Sequence, residues 1–304
     1  MGVDENGLGP QLGPLVATSV GLEMPRYARG ALCARGLRLG LTDSKATGGF
    51  GRMGFIESVA LALLKRGGLG LPASADGLLD RVSPDSRRHL RTCCPDDRTA
   101  KQCWAVDPPL PALGGDPRYG DALLDRLMGR SSLRIVDVQS RIACAGVLNA
   151  KLAAGRNKLM VDLELFEDLI ASVPSRDGSP MLVICGMIGG IRDYASRLSR
   201  FETARVEPLA GRRGQLRYAI EGVGEVRFEV SADARHLPVA LASIVGKYVR
   251  EICMRRIGEF YRLGNPELNL VSGYHDSVTN RFIEASAPSR RHLGIAPDCF
   301  RRQA

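Results

Sequence analysis

The sequence predicts an α/β fold, and three patterns carry this prediction. Residues 14–20 (PLVATSV) are apolar and partly β-branched, and residues 180–186 (PMLVICG) form an apolar run of the length of a buried strand. Residues 157–173 place apolar side chains at helical spacing, and residues 237–261 predict a long helix with a proline near its first turn. Because these strands and helices interleave along the chain, the class is α/β.

The remaining elements follow from shorter patterns. Residues 36–42 alternate in hydrophobicity and predict a strand, whereas helical spacing of apolar residues predicts a helix over residues 54–65. Three further strands and a last helix are predicted: strands at 131–138, 216–222 and 226–231, and a helix at 277–286.

Residues 66–120 differ in composition from the rest of the chain. They are rich in Gly, Pro, Asp and Arg, and include the runs GGLGLP, CCPDDR and DPPLPALGGDP. Such composition is typical of loops. We therefore predict one domain made of residues 1–65 and 121–304, with a Cys/Pro/Gly-rich insertion or small subdomain between the two parts.

The charge balance favours an anionic partner. The chain has 304 residues, with 42 Lys and Arg against 33 Asp and Glu, a formal net charge of +9. Nucleic acid is the commonest partner of such proteins, and the alternative is a basic, solvated surface. The sequence contains no leader pattern and no apolar run of bilayer length, and its eight cysteines suit reduced thiols or metal ligands. We expect a soluble cytoplasmic protein, monomeric and without a membrane partner.

Two adjacent carboxylates, Asp4 and Glu5, stand in an otherwise apolar chain start. Neighbouring residues of a strand point to opposite faces, so the pair can share one site only where a strand ends or bends. Gly7, Gly9 and Pro10 permit such a bend. Asp233, just before the long helix, is a further acid, and separated acids that meet at one sheet edge suit a hard divalent cation.

Four segments, in order, resemble the type 2 ribonucleases H. The opening GVDENGLGP is similar to the family motif Asp-Glu-Ala-Gly-Arg-Gly-Pro, and GLTDSKAT (40–47) to the family's Asp-Ser-Lys segment. ADARHLPVALASIVGKYVRE (232–251) resembles the stretch from Asp-Ala-Lys to Ala-Ser-Ile-x-x-Lys, and SGYHDSVT (272–279) resembles Ser-Gly-Tyr-Pro-x-Asp-x-x-Thr. The resemblance runs from residue 2 to about residue 280 and leaves out the insertion.

This resemblance implies a ribonuclease H-like fold with a mixed central sheet flanked by helices. It implies a partner, either RNA/DNA hybrid or duplex with embedded ribonucleotides, and hydrolysis of the RNA strand with Mg²⁺ or Mn²⁺ that leaves a 3′-hydroxyl. The implied metal-binding and catalytic acids are Asp4, Glu5 and Asp233. The implied nucleic-acid contacts are Gly7 and Gly9 to the 2′-hydroxyl, Lys45 and Lys247 to the backbone, and Tyr274 to the sugar at an RNA–DNA junction.

The chain departs from the family pattern at two positions. Where the family has an Asp after a central strand, this sequence reads LVICGMIGG, so that Cys185, or Gly186 in the adjacent register, occupies that position. A thiol is a poor ligand for Mg²⁺, and three carboxylates leave part of the charge of two divalent cations unbalanced. The second departure is Leu8, which stands where the family motif has an arginine between two glycines, here Gly7 and Gly9. The alternative hypothesis is a catalytically inactive nucleic-acid-binding homologue.

The insertion contains possible zinc ligands, His89, Cys93, Cys94 and Cys103, but not in a standard pair spacing. These residues could bind a structural Zn²⁺, or the cysteines could be reduced thiols in a loop, and the sequence leaves both alternatives open. A third hypothesis is a structural or partner-binding protein that uses this Cys-rich segment. Three arginine pairs predict solvated faces, at 255–256, 290–291 and 301–302.

Overall fold

The computed structural model describes residues 1–42, 53–83, 88, 90, 101–129, 132–172 and 181–303. Within these residues, seven strands form one mixed sheet in the order β3-β2-β1-β4-β7-β6-β5. The strands are β1 Gly2–Asn6, β2 Leu15–Glu23, β3 Arg134–Ala143, β4 Met181–Gly186, β5 Val206–Leu209, β6 Gln215–Ile220 and β7 Gly224–Glu229. Strands β1, β4 and β7 run parallel, and the outer strands on either side are antiparallel to their neighbours. The predicted α/β class, with a mixed central sheet flanked by helices, is therefore confirmed.

The helices lie on both faces of this sheet. Their bounds are α1 Arg29–Arg38, α2 Gly54–Arg66, α3 Ala75–Val82, α4 Pro117–Met128, α5 Ala145–Ala153, α6 Lys158–Ser172, α7 Ala232–Arg235, α8 Leu237–Arg262, α9 Ser277–Ala285, α10 Ala287–His292 and α11 Pro297–Phe300. No helix among the described residues is long and apolar enough to cross a membrane.

Two hydrophobic clusters fix the helices to the sheet. On one face, α8 and α2 pack against Val16 and Val20 of β2. On the other face, α6 packs against Val3 of β1 and Cys185 of β4. Successive strand residues point to opposite faces, so β2 supplies Val16 and Val20 to the first cluster and Ala17 to the second, which accounts for its nearly continuous burial.

Close contact between α8 and β1 depends on glycine. A Cβ atom on Gly2 would lie 2.2 Å from the backbone carbon of Pro238, and one on Gly246 would lie 2.6 Å from Nδ2 of Asn6. Both distances are shorter than van der Waals contact allows, so a side chain at either glycine would push the helix away from the strand. The long helix is thereby held directly over the chain start.

Residues 36–42 were expected to form a strand, and this prediction is wrong. The helix α1 extends to Arg38, and its buried Gly36 packs against Leu237 at the start of α8. The alternating leucines fall across a helix end: Leu37 is 68% exposed, whereas Leu41 is buried beyond the turn. An alternation over so few residues does not separate a strand from a helix end.

The described part of the 66–120 segment packs into the main core. Leu78, Leu79 and Val82 of α3, together with Leu90, belong to the same buried cluster as α2 and α8. The division of the chain into a domain and an insertion stays a prediction.

Candidate functional site

A cavity of about 720 Å³ opens where β1 and β4 end, next to α7 and the start of α8. Residues from distant parts of the sequence line it. Those singled out from the sequence that meet here are Asp4, Glu5, Gly7, Gly9, Asp233, Lys247 and Tyr274.

The acid pair reaches the cavity because β1 ends directly after it. Asp4 lies on the α8 face of the strand, as does Asn6, whose Nδ2 donates to the Ser243 carbonyl at 3.3 Å. Glu5 lies on the α6 face, with Val3. Gly7 follows with a φ of +93°, a conformation that favours glycine, and turns the chain away from the sheet. Both carboxylates can therefore border one cavity although they point to opposite faces.

Asp233 is brought to the same cavity by a sharp turn after β7. Ser231 has a φ of 51°, which is uncommon for a residue with a side chain, and connects the strand end directly to α7. The Asp233 carboxylate accepts from the backbone N–H of Ala234 at 2.9 Å. Asp233 lies in the first turn of this short helix, just before the long helix α8.

A buried polar network anchors α7 to the sheet. Oε2 of Glu229 accepts from Arg235 at 2.5 Å and from Nε2 of His236 at 3.1 Å. The Tyr27 hydroxyl pairs with Nδ1 of His236 at 2.7 Å. Burial lowers the pKa of His236, and hydrogen bonds, including those from Gln215 and Arg235, outweigh burial to lower the pKa of Glu229. The neutral ring thus donates through Nε2 to the ionised carboxylate and accepts at Nδ1.

Two buried arginines donate hydrogen bonds to carbonyl groups of the glycine loop, residues 7–13. Arg302 donates to the carbonyls of Gly13 at 2.7 Å, of Pro10 at 3.4 Å and also of Gly7. Arg250 donates to the carbonyls of Leu12 at 3.3 Å and Ser272 at 2.9 Å. Burial lowers the pKa of Arg302 to about 9. The pair 301–302 was expected to be solvated, and this prediction is wrong for Arg302, which is 5% exposed.

Tyr274 forms the outer rim of the cavity. Its ring is 48% exposed and lies 5.2 Å from the guanidinium carbon of Arg250. The carbonyl of the preceding Gly273 accepts from the backbone N–H groups of Gln11 and Leu12, so this loop rests on the chain start. An exposed aromatic ring held in a fixed loop can stack on a sugar or a base.

Cys185 does not face the cavity. It is fully buried between Val3 and α6, and burial raises the pKa of its thiol, so it is neither a cavity residue nor a thiolate. The strand register places Val3 opposite Cys185, which leaves Gly186 beside Asp4. A Cβ atom on Gly186 would lie 3.0 Å from Oδ1 of Asp4. Of the two positions that the sequence left open, Gly186 borders the cavity and Cys185 does not.

One acid near the site did not emerge from the sequence. Asp162 of α6 is fully buried, and neither of its carboxyl oxygens has a hydrogen-bond partner among the described residues. Burial, and then the negative charges of Glu5 and Asp4, raise its pKa well above the ordinary value. The signal was present in the sequence, because Asp162 lies on the apolar side of an amphipathic helix, between Leu159 and Phe166.

The carboxylates suit a hydrated hard cation more than a closed metal cage. Within the described ranges, no three His, Cys, Asp or Glu side chains approach closely enough to enclose a metal ion. Mg²⁺ commonly keeps several waters and is held by one or two carboxylates together with substrate phosphates. Asp4, Glu5 and Asp233 line one open cavity and so could hold a cation in that way.

Lys45, His89, Cys93 and Cys94 lie outside the described residues. Cys103 is half-buried and packs against the main core. The contact of Lys45 with the nucleic-acid backbone and the structural Zn²⁺ site therefore stay predictions.

No family model and no curated protein matches the chain. Solved structures resemble it. A ribonuclease HII from Archaeoglobus fulgidus, in complex with PCNA, is 19% identical, with a TM-score of 0.47, over 100% of this chain and 96% of that one. A ribonuclease H2 from Pyrococcus horikoshii is 17% identical, with a TM-score of 0.47, over 98% and 90%. Bst-RNase HIII in complex with Mn²⁺ is 14% identical, with a TM-score of 0.44, over 96% and 63%. At these values, neither the activities nor the ligands of those proteins transfer to this chain.

Proposed function

We propose that this chain is a type 2 ribonuclease H-like protein that binds RNA/DNA hybrid, or duplex with embedded ribonucleotides. The observation that carries the proposal is the convergence of three motif segments on one cavity. Asp4 and Glu5 come from the chain start, Asp233 and Lys247 from the 232–251 segment, and Tyr274 from the 272–279 segment. Residues separated by more than two hundred positions line one cavity, and this supports the proposal.

The proposed reaction is metal-dependent endonucleolytic hydrolysis of the RNA strand. Asp4, Glu5 and Asp233 would hold Mg²⁺ or Mn²⁺, which when bound activates a water and stabilises the leaving oxygen. The backbone of Gly7 and Gly9, held from below by Arg302, borders the ribose, and Lys247 faces the phosphates. Tyr274 stacks on the sugar at the junction, and its contact with Arg250 keeps the ring in place.

The second candidate is a hybrid-binding protein without chemistry. Gly186 favours it, because no carboxylate stands beside Asp4 at the end of β4. The two candidates share the cavity, and they differ only in whether the RNA strand is cut.

Cleavage and binding are measured separately to test these candidates. The full chain is incubated with labelled RNA/DNA hybrid and with a single-ribonucleotide duplex, in Mg²⁺ and in Mn²⁺, and affinity is measured by fluorescence anisotropy at several salt concentrations. Asp4→Asn is compared with Asp125→Asn, a matched change at an exposed acid on α4. Cleavage that only Asp4→Asn abolishes supports the enzyme. Salt-dependent binding without cleavage supports the inactive homologue, and no salt-dependent binding contradicts both.

We propose the cytoplasm as the place of action. Cys33, Cys185 and Cys253 carry free thiols, which suits a reducing compartment.

A further inference from the structure

A second cavity, of about 830 Å³, lies across α7 from the cavity that the carboxylates line. Residues of α1, β4, β6, β7 and α7 and of the turn before β6 form its walls. Among the described residues that line it, Glu229 is the one acid. Six of the lining residues are arginines, and we call this cavity the arginine cleft: Arg29, Arg212, Arg213, Arg217, Arg227 and Arg235.

The packing of the sheet does not explain the two arginines on its strands. Val226 and Phe228 of β7 belong to the hydrophobic cluster with α6, so Arg227 between them points to the other face. There it lies directly opposite Arg217 of β6 in the strand register. Like charges in this arrangement destabilise a sheet. One carboxylate, that of Glu225, contacts both guanidinium groups, at 2.6 Å and 2.7 Å.

The arginine cleft has more positive charge than its acids offset. The two strand arginines share one glutamate, and Arg235 pairs with Glu229 at 2.5 Å. Arg29, Arg212 and Arg213 are exposed, and their side chains form no ion pair with a described acid. Guanidinium groups bind phosphate oxygens through paired N–H donors, so a concave group of them suits a ligand with several phosphates.

The cavity with the carboxylates has the opposite charge balance. Its described lining holds four acids and two bases, which are Asp4, Glu5, Asp233 and Glu251 with Lys247 and Arg250. By themselves these groups repel the backbone of a nucleic acid more than they attract it. Phosphate contacts supply a large share of the affinity of most nucleic-acid-binding proteins. The arginine cleft provides such contacts next to the acidic cavity.

The two cavities are close enough to hold one strand. The helix α7 has only four residues, and Asp233 lines the first cavity whereas Arg235 lines the arginine cleft. A helix with its side chains is about 10–12 Å across, and a nucleic-acid strand rises about 3.4 Å per nucleotide. A strand that leaves the first cavity over α7 therefore reaches the arginine cleft within about three to four nucleotides.

We propose that the arginine cleft binds the phosphate backbone of a nucleic acid and anchors it beside the cavity of Asp4, Glu5 and Asp233. This inference rests on the proposed function for the identity of the ligand, and it adds a second binding site. Contacts to phosphates carry no sequence information. The arginine cleft therefore contributes affinity for any duplex, and recognition of the ribonucleotide belongs to the first cavity and Tyr274.

The test is the salt dependence of binding, measured by fluorescence anisotropy on the full chain in EDTA, which prevents metal-dependent cleavage. The ligands are a labelled RNA/DNA hybrid and an all-DNA duplex of equal length. The slope of log affinity against log salt concentration changes by about one for each phosphate contact. Arg212→Ala/Arg213→Ala should make this slope shallower by about two, and Arg29→Ala by about one, for both duplexes alike. Arg118→Ala/Arg126→Ala is the matched control, at two exposed arginines of α4 that line neither cavity, and should keep the wild-type slope.

The outcomes separate this inference from the proposed function. A wild-type slope in Arg212→Ala/Arg213→Ala overturns the inference and leaves the proposed function standing. A change confined to the hybrid, or an equal change in the α4 control, also overturns it. Absence of salt-dependent binding by the wild type overturns both. Circular dichroism checks the fold of each variant, and all the substituted arginines are exposed.

Inorganic tripolyphosphate distinguishes a nucleic-acid backbone from a free phosphate ligand. Its binding is measured by calorimetry for the wild type and for Arg212→Ala/Arg213→Ala. If the variant loses tripolyphosphate binding but keeps the wild-type slope for both duplexes, the arginine cleft holds a free polyphosphate and the inference is overturned. Loss of duplex contacts, with or without loss of tripolyphosphate binding, supports it.

Discussion

Gly186 stands beside Asp4 at the ends of two parallel strands, so close that a Cβ atom on Gly186 would lie 3.0 Å from Oδ1 of Asp4, tighter than an ordinary contact. This relationship defines the departure of the chain from the family that it resembles. The acid pair and its glycine loop are retained on β1, and the neighbouring strand presents a bare backbone. Under the proposed function, the cavity binds the nucleic-acid backbone, and cleavage depends on whether Asp4, Glu5 and Asp233 suffice to hold the cation.

Gly186→Asp should make stability dependent on divalent cations. Without them, the new carboxylate repels Asp4, and the free energy of unfolding should fall by about 1–4 kcal/mol, the interaction of two charges about 4 Å apart at intermediate to high dielectric. Mn²⁺ should reverse the loss, since a ligand that binds only the folded state stabilises it. Thermal melting in EDTA and in Mn²⁺ measures both effects.

The matched control for this change is Gly189→Asp, at an exposed glycine with no atoms near its Cβ position. Its melting temperature should not respond to Mn²⁺ beyond the wild-type response. A Gly186→Asp variant that melts identically with and without Mn²⁺ would contradict the assignment of this position to the cation site.

Tyr274→Ala should weaken binding to duplex with an embedded ribonucleotide. Stacking of an aromatic ring on nucleic acid contributes about 1–3 kcal/mol, so the dissociation constant should rise roughly 5–150-fold. Tyr119→Ala, at a tyrosine of nearly equal exposure outside the cavity, should bind as the wild type does. Fluorescence anisotropy with an all-DNA duplex as reference shows whether the loss is specific to the ribonucleotide junction, and equal losses for both variants would remove Tyr274 from the site.

Much of the fold could be read from the sequence because apolar periodicity records which faces are buried. The long helix α8 and the buried strand β4 were evident for this reason. The strand prediction for residues 36–42 was wrong because the alternating residues cover a helix end and a turn. Local patterns also cannot reveal a partner that is distant in sequence. Arg256, expected on a solvated face, is buried against Asp76 and the Trp104 carbonyl.

Site residues that lie within a recognisable motif could be predicted from the sequence. The residue at the end of β4 that borders the cavity could not, because it depends on the pairing register of the strands. Asp4, Glu5 and Asp233 lie in recognisable segments and line one cavity. The choice between Cys185 and Gly186 required the pairing of β1 with β4, because a shift of one residue exchanges the faces of a strand. Asp162 belongs to no motif, and only its burial and its neighbours distinguish it from other helix acids.

Arg302→Ala should loosen the glycine loop and with it the site. The guanidinium group bonds three loop carbonyls from a buried position, so its loss leaves them without those donors. We expect a loss of about 1–3 kcal/mol in the free energy of unfolding, the cost of leaving a buried acceptor without its donor, and weaker hybrid binding. Urea unfolding followed by circular dichroism measures the first effect. Arg301→Ala changes the exposed neighbour and should be close to wild type, and comparable losses in the two variants would argue against the loop contact as the cause.

Stability should fall in mild acid because His236 is buried as a neutral ring. Burial lowers the pKa of His236 below 6.5, so the unfolded chain takes up a proton at a higher pH than the folded chain does. As pH falls from about 6.5 toward the folded pKa, the free energy of unfolding should decrease by at most about 1.4 kcal/mol per pH unit from this group. The lowered pKa of Glu229 adds a second loss, which begins below 4.5 and is complete once pH has passed through the folded pKa.

Replacement of His236 isolates its contribution to the loss of stability in mild acid. His236→Gln should be less stable at neutral pH, since the Tyr27 and Glu229 contacts are lost, but its stability should change less between pH 7 and pH 5 than that of the wild type. His292→Gln, at an exposed histidine on α10, should keep the wild-type dependence. Urea unfolding at half-unit pH steps gives the three curves. A parallel shift of the His236→Gln curve, with unchanged slope, would mean that His236 has the same pKa in the folded and the unfolded chain. That result would contradict the burial of a neutral ring as the cause of the acid sensitivity.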